Sequence, residues 1–438
     1  MRKNVLRAAL ALIAALTLTF TPAPSAAACA PHTPSGCGQV RAGTDGLLYD
    51  DAGRWTMRGV AFFLPQYGIN ARTVRDRSYA AARADGSLAY WLDRARDGLG
   101  ANALRVFVEL PSRRDDGSVS TPTSHATLLD LATEAGGRGM RLGLVLHNSA
   151  AWTMTPERAA WVTGLVDAFA AQGALPLLAY VSASNEINNY CGGHARDCFD
   201  DAPGVSAQSY VNAAVEWAAQ LRAAVKSRAP QLLVTVGIST EMGDTDATRA
   251  AFNFFRPDSR GRTLAQQVDF LSPHNFGGGA QGIYDDIRYA GYRGPVVLEE
   301  FGFPTDSFPR GRLFTEGPVF CRREPLRPEC AETAPAFVEA NIAALRARAY
   351  AGAVAWMLAD VREKDGTNAC ADPSRPSDLW TGLFAIGGSY CAGGTYTTAV
   401  GQPKATAVRV CLFYTGDLFR CDPTLALRAT IYAPVIGR

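Results

Sequence analysis

Eight times between residues 57 and 360 the chain repeats one alternation. A short apolar run rich in β-branched residues is followed by a longer alanine-rich run whose apolar positions recur at helical spacing. The apolar runs are MRGVAFF (57–63), ANALRVFVEL (101–110), MRLGLVLHN (140–148), LLAYVSASNE (177–186), QLLVTVGIS (231–239), VDFLSPHN (268–275), PVVLEEFG (295–302) and GAVAWMLAD (352–360). Strands that alternate with helices build a parallel sheet buried on both faces. Eight such units predict an α/β fold of the (β/α)8, or TIM, barrel type. An open doubly wound sheet is the rival, and it would carry a glycine-rich phosphate loop after its first strand. VAFFLPQYG contains none.

The intervening helices are legible in the same terms. Thr155-Pro156 supplies an N-cap and a proline at the first helical position, and Gly173 ends that segment. After the fourth strand, Val211, Val215, Ala218, Leu221 and Val225 share one helical face. Before the eighth, Val338, Ile342, Leu345 and Ala349 do the same. The expected organisation is a leader (1–28), a lead-in (29–54), the barrel (55–360) and a disulfide-tied extension that closes it (361–438).

The leader is read from MRKNVLR, the apolar ALALIAALTLTF and the small-residue site before Cys29, which together describe a secretory signal. The apolar run is too short to span a bilayer. Cleavage after Ala28 removes three of the 43 Lys and Arg, leaving 40 against 41 acids. The mature chain is then near neutral, which speaks against a nucleic-acid partner. A secreted monomer with no membrane attachment is the expectation.

Ten cysteines fall into five neighbouring pairs: Cys29/Cys37, Cys191/Cys198, Cys321/Cys330, Cys370/Cys391 and Cys411/Cys421. Local disulfides are the simplest reading in an oxidising compartment, although spacing alone does not prove connectivity. Zinc is the competing reading, but no CxxC occurs. A lipid anchor on Cys29 would leave Cys37 unpaired.

In barrels of this type chemistry sits at the C-terminal ends of the strands. Those ends carry Arg105 and Glu109 on the second, His147 and Asn148 on the third, and Asn185-Glu186 on the fourth. His274 lies on the sixth, Glu299-Glu300 on the seventh and Trp356 on the eighth. No GxSxG, HxH or HExxH is present, so neither a serine nucleophile elbow nor a metal cage is indicated. Paired carboxylates without metal or cofactor suit glycosidic cleavage, one acid protonating the leaving oxygen while the other attacks or activates water. An indole suits the C–H face of a sugar.

SASNEIN after the fourth strand and VVLEEFG on the seventh resemble the two signatures of clan A glycoside hydrolases, most of all family 5, the cellulases and mannanases. The resemblance covers roughly residues 55 to 410. It implies a retaining β-glycosidase acting on a β-linked polysaccharide or oligosaccharide, with mannan or glucan as the default substrate. By the same resemblance Glu300 is the nucleophile and Glu186 the general acid/base. Asn185 holds the sugar 2-hydroxyl and Arg105 keeps the nucleophile ionised. His147 and His274 line the cleavage subsite, and Trp356 is the platform. A catalytically silent carbohydrate-binding barrel is the alternative.

Two expectations are specific to this chain. The family usually carries His-x-Tyr on the sixth strand, whereas His274-Asn275-Phe276 replaces the phenol with a ring that cannot donate a hydrogen bond. With Glu300 inward, strict alternation along the seventh strand turns Glu299 and Val297 outward to the helices and Val296 and Leu298 into the barrel.

Overall fold

The computed structural model describes residues 38–64, 73–112, 118–146, 153–189, 198–199, 206–240, 252–275, 279–302, 328–359, 382–385, 402–403 and 405–416. Every expected barrel strand is present: β1 (Met57–Ala61), β2 (Ala103–Val108), β3 (Arg141–Val145), β4 (Leu178–Ser182), β5 in two segments (Leu233–Thr235 and Gly237–Ser239), β6 (Ser272–Asn275), β7 (Val297–Phe301) and β8 (Gly352–Ala355). All neighbours pair in parallel, and β8 returns to β1 through Gly352↔Met57. Strand β5 closes the ring from both sides. Its first segment pairs with β4 (Ser182↔Thr235) and its second with β6 (Ser239↔His274). The parallel barrel predicted from the eightfold alternation is therefore the observed architecture.

Inward-facing side chains form layers. Met57, Ala103, Tyr180, Leu233, Phe270, Val297 and Val354 pack together at the lower end, while Ala61, Phe63, Phe107, Val145 and Trp356 form the upper one. A three-stranded antiparallel sheet (Arg41–Ala42, Leu48–Asp50, Gly53–Arg54) lies at the base, where Asp50 pairs with buried Arg141 at 3.1 Å.

Strand β7 departs from the expected alternation. Val297 joins the inner layer, whereas Val296 and Leu298 pack outward with the helices, the reverse of the expected parity. Between Leu298 and Phe301 the strand advances three residues while β8 advances only two, from Ala353 to Ala355. This is a β-bulge, one extra residue that reverses the facing of the residues after it. Glu299 is inward by ordinary alternation, the bulge turns Glu300 inward as well, and Phe301 packs outward. Strict period-two reasoning allows only one of two neighbouring acids to face a cavity. The bulge admits both.

The helices run as the apolar spacing predicts. In α1 (Pro156–Ala171) the Thr155 side chain accepts a hydrogen bond from the Arg158 amide. The segment ends at Gly173 in the left-handed region, with φ +63°. In α2 (Ala207–Lys226) all five predicted apolar positions are buried, and Trp217 donates from Nε1 to the Ala183 carbonyl at 2.8 Å. That bond ties the helix to the segment carrying Asn185 and Glu186. In α3 (Pro328–Ala347) Val338, Ile342 and Leu345 are buried as expected, but Ala349 lies past the helix end and is exposed.

Helix α4 (Ala405–Thr415), within the stretch read as an extension, packs beside α3 on the outside of β8 and β1. Its Tyr414 hydroxyl reaches the carbonyls of Gly59 at 2.6 Å and Ala353 at 3.1 Å. Because Tyr414 is buried and satisfies two strand carbonyls, Tyr414→Phe is expected to cost about 1–3 kcal/mol in urea unfolding. An unchanged midpoint would show that α4 is not anchored there.

Of the ten cysteines expected in local disulfides, Cys198 and Cys411 are each disulfide-bonded. Cys29, Cys37, Cys191, Cys321, Cys370, Cys391 and Cys421 lie outside the described residues, and so does the side chain of Cys330, whose backbone belongs to the first turn of α3. Each of the five expected pairings therefore involves at least one residue outside that set. The leader falls outside it as well. Among the described residues no helix is long and apolar enough to cross a membrane.

Candidate active site

The guanidinium of Arg105, on β2, is fully buried at the centre of the upper barrel. Burial of an isolated cation is costly, so such a group must meet anions and acceptors. Arg105 meets three groups at once. Its Nη1 donates to Glu300 Oε1 at 2.6 Å and its Nη2 to Asn185 Oδ1 at 2.6 Å, while Nε lies 3.2 Å from Glu299 Oε1. The Phe107 ring covers the guanidinium, with 4.7 Å between the charge and the ring centre. Strand β2, the turn after β4 and strand β7 are thus joined through one side chain.

His274, on β6, faces the same cluster from the other side. Nδ1 lies 3.3 Å from Glu186 Oε1 and 3.5 Å from Glu300 Oε1, and Nε2 lies 3.4 Å from Glu299 Oε2. The ring fits because position 237 is glycine. A Cβ there would lie 2.6 Å from Nε2. Glu186 takes a further hydrogen bond on Oε2 from Asn189 Nδ2 at 2.9 Å. Asn188 is bonded in both directions to Ser239 of β5, which fixes the turn after β4.

The charges follow from these contacts. Burial works against ionisation of Glu299, but Arg105, His274 and the Tyr180 phenol outweigh it and hold the carboxyl at about 2. For Glu300 burial wins over His274 and Arg105 and lifts the carboxyl to about 7. Glu186 lies below the ordinary range, because hydrogen bonds from His274 and Asn189 outweigh its burial. His274 would be neutralised by burial alone, but Glu300, Glu186 and Glu299 raise it to about 9. As pH falls through about 7 the cluster takes up one proton beyond the imidazolium, and in the unliganded site Glu300 takes it before Glu186 does.

No protein-family profile matches the sequence, and no curated protein matches it. Solved structures match in fold. An exo-β-1,4-mannosidase from Opitutaceae bacterium strain TAV5 superposes with a TM-score of 0.56 at 17% identity, over 86% of this chain and 62% of its own. A β-galacturonidase from Eisenbergiella tayi gives a TM-score of 0.51 at 13% identity, covering 86% of this chain and 54% of its own. A β-glucuronidase from Ruminococcus gnavus gives 0.50 at 14% identity, covering 86% and 52%. The chain thus spans less than two thirds of each. At these identities the likeness is one of fold.

Of the residues singled out from sequence, Arg105, Asn185, Glu186, His274 and Glu300 converge on one cluster. Trp356 stands in the layer above, 6% exposed, with its ring edge-on to Phe63 at 5.3 Å and Phe107 at 6.0 Å. Gly302 of the Glu-Phe-Gly stretch makes room for it, since a Cβ there would lie 2.3 Å from the Trp356 carbonyl. Glu109 does not join and pairs with Arg75 at the rim. His147 and Phe276 lie outside the described residues.

Sequence reasoning missed Asn189, Tyr180, Phe63 and Phe107, and it misplaced Glu299. Far from facing the helices, Glu299 is 0% exposed inside the barrel. Alternation from Val297 would have found it, had that residue been set inward.

One donor atom each from Glu186, His274 and Glu300 lie within 4.8 Å of one another, a spacing that a metal ion could bridge. The Arg105 guanidinium and the raised His274 already supply positive charge to that space, which opposes a further cation. The cluster reads as a self-compensated set of ions. Arg105→Met would leave two buried carboxylates without their main counter-charge, at a cost of about 3–5 kcal/mol near neutral pH. Glu299 is held below its ordinary value of 4.5, so its contribution is complete above that pH and is lost as pH falls toward 2. Urea unfolding should therefore show the gap between wild type and Arg105→Met narrowing on acidification. A gap independent of pH would contradict the pairing.

Proposed function

We propose that this protein is a retaining β-glycosidase, with Glu300 as nucleophile and Glu186 as general acid/base. The observation that carries the reading is the convergence of the two carboxylates on His274, with one oxygen of each within 4.8 Å of the other. A gap that short favours retention, in which the carboxyl groups stand about 5–5.5 Å apart, over inversion, which needs about 6.5–9.5 Å to admit a water.

The contacts support a role for each group. Arg105 and His274 both address Oε1 of Glu300, which leaves Oε2 to attack the anomeric carbon as the glycosidic bond breaks. Glu186, with 16% of its side chain exposed, protonates the departing oxygen. It then takes a proton from the water that releases the sugar from Glu300. Asn185 accepts from Arg105 through Oδ1, so its amide N–H is free to donate to a sugar hydroxyl. For this cycle the shared proton must sit on Glu186 when substrate is bound, and His274 lies between the two carboxylates.

A β-linked polysaccharide or oligosaccharide is the proposed substrate class. The fold likeness to an exo-β-1,4-mannosidase puts β-mannosides first among the sugars to assay, ahead of β-glucosides. Secretion as a monomer and the five local disulfides rest on the leader and the cysteine spacing. A silent carbohydrate-binding barrel is the second reading, favoured by surroundings that raise the Glu300 carboxyl and lower that of Glu186, the reverse of what the cycle needs.

Substitution separates the two roles. With an aryl β-glycoside, Glu300→Ala should abolish turnover, and azide should restore it with an α-glycosyl azide as product. Glu186→Ala should keep the first step for good leaving groups and yield a β-glycosyl azide. Binding without turnover of any sugar in the panel would establish the silent barrel instead.

The pH profile provides a second check. One proton on the carboxylate pair is required, so kcat/KM should fall as pH rises through about 7, where Glu300 titrates. It should fall again on the acid side only below the ordinary carboxylate range, where Glu186 takes up a second proton. Full activity well above the alkaline limit would show that the pair does not share that proton.

A further inference from the structure

Glu299 is used by no step above, yet it is as buried as any residue in the barrel. We propose that Glu299 is an internal counter-ion that keeps His274 an imidazolium and aims its Nδ1–H at Glu186 with Glu300 alongside, so that the group which positions the catalytic pair is a cation on β6. The proposal rests on the glycosidase reading for the word catalytic, but its physical content does not depend on it.

Donors and acceptors must match around the ring. Neutral imidazole has one N–H and one lone pair. If the proton is on Nε2, it serves Glu299, and the lone pair of Nδ1 then faces oxygens of both Glu186 and Glu300. If the proton is on Nδ1, the lone pair of Nε2 faces the Glu299 carboxylate at 3.4 Å. Even with the shared proton on Glu300, only one of the two Nδ1 contacts is satisfied. Imidazolium alone donates in both directions, and it puts positive charge on each side of the ring where a carboxylate stands.

Glu299 is the member that makes this lasting. Glu186 and Glu300 change charge during any acid–base cycle, whereas Glu299 stays ionised beneath them, as its value of about 2 supports. The titratable groups that face it or the ring are Arg105 from β2, Tyr180 from β4, Glu186 from the turn after β4, His274 from β6 and Glu300 beside it on β7. Arg105 cannot serve as its sole counter-ion, because the same guanidinium also pairs with Glu300. The ring cannot swing away toward β5 without meeting the backbone at Gly237.

The test needs no substrate. Side-chain NMR of the histidine-labelled full chain, with His274 identified by comparison with His274→Asn, should show His274 still protonated at about pH 7.5. In Glu299→Gln, nearly isosteric but uncharged, the His274 titration should move from about 9 in the wild type to below about 7. Glu299→Asp, which keeps the charge, should stay nearer the wild type. A neutral His274 at that pH in the wild type would overturn the proposal, and so would a titration unmoved in Glu299→Gln. If Glu299→Gln fails to fold by circular dichroism, the wild-type titration alone decides.

Turnover gives an independent readout. Glu299→Gln should lower kcat by about tenfold or more while KM changes less, as expected when positioning in the transition state is lost. Turnover that falls only through KM would count against a positioning role. The expected titration in a protein that cleaves no glycoside would overturn the glycosidase reading and leave the counter-ion standing.

Discussion

Everything at the upper end of this barrel depends on how one buried guanidinium is compensated. Arg105 carries a full charge where no water reaches it, and it is held by Glu299, Glu300 and Asn185 together. Removing any one of these would leave a buried charge short of partners, which costs more than the pair contributes when intact. Because its three partners come from β7 and from the turn after β4, the interaction that satisfies Arg105 also ties the segment carrying Glu186 to the strand carrying Glu300. Stability and the proposed chemistry share one set of contacts here.

The bulge in β7 is what makes that arrangement reachable. A regular strand would present Glu299 inward and turn Glu300 to the helices, leaving one carboxylate against one guanidinium. One extra residue between Leu298 and Phe301 brings a second acid into the cavity. His274 then supplies the second positive charge that two inward acids and Glu186 require. The resulting set is negative by one when all its members are ionised. It relieves that excess by taking up a proton on the carboxylate pair, which is the state an acid/base and a nucleophile need between them.

Much of this was legible in the sequence, for definite reasons. The eight strands were visible because both faces of a parallel barrel are apolar and each helix carries a single apolar stripe. The site residues were visible because barrel chemistry gathers at strand ends, and Arg105, Asn185, Glu186, His274 and Glu300 all stand there. The facing of Glu299 was not legible, because a bulge has no signature in VVLEEFG and both parities bury an apolar set of similar size. Asn189 was hidden in the turn after β4, where NEINN offers three amides and no periodicity to choose among them. Tyr180 and Phe107 read as ordinary core in mid-strand, and only the layering of the barrel shows that one lies below the ions and the other above.

The central claim is that two neighbouring glutamates both face the cavity and that only the second forms a bond. It is tested most directly by trapping the intermediate with an activated 2-deoxy-2-fluoro β-glycoside of a sugar the protein turns over, followed by peptide mass spectrometry. The account predicts one sugar per chain, attached to the peptide containing VVLEEFG and located by fragmentation on Glu300. A sugar on Glu299 or Glu186, or rapid turnover with inversion and no trapped species, would contradict it.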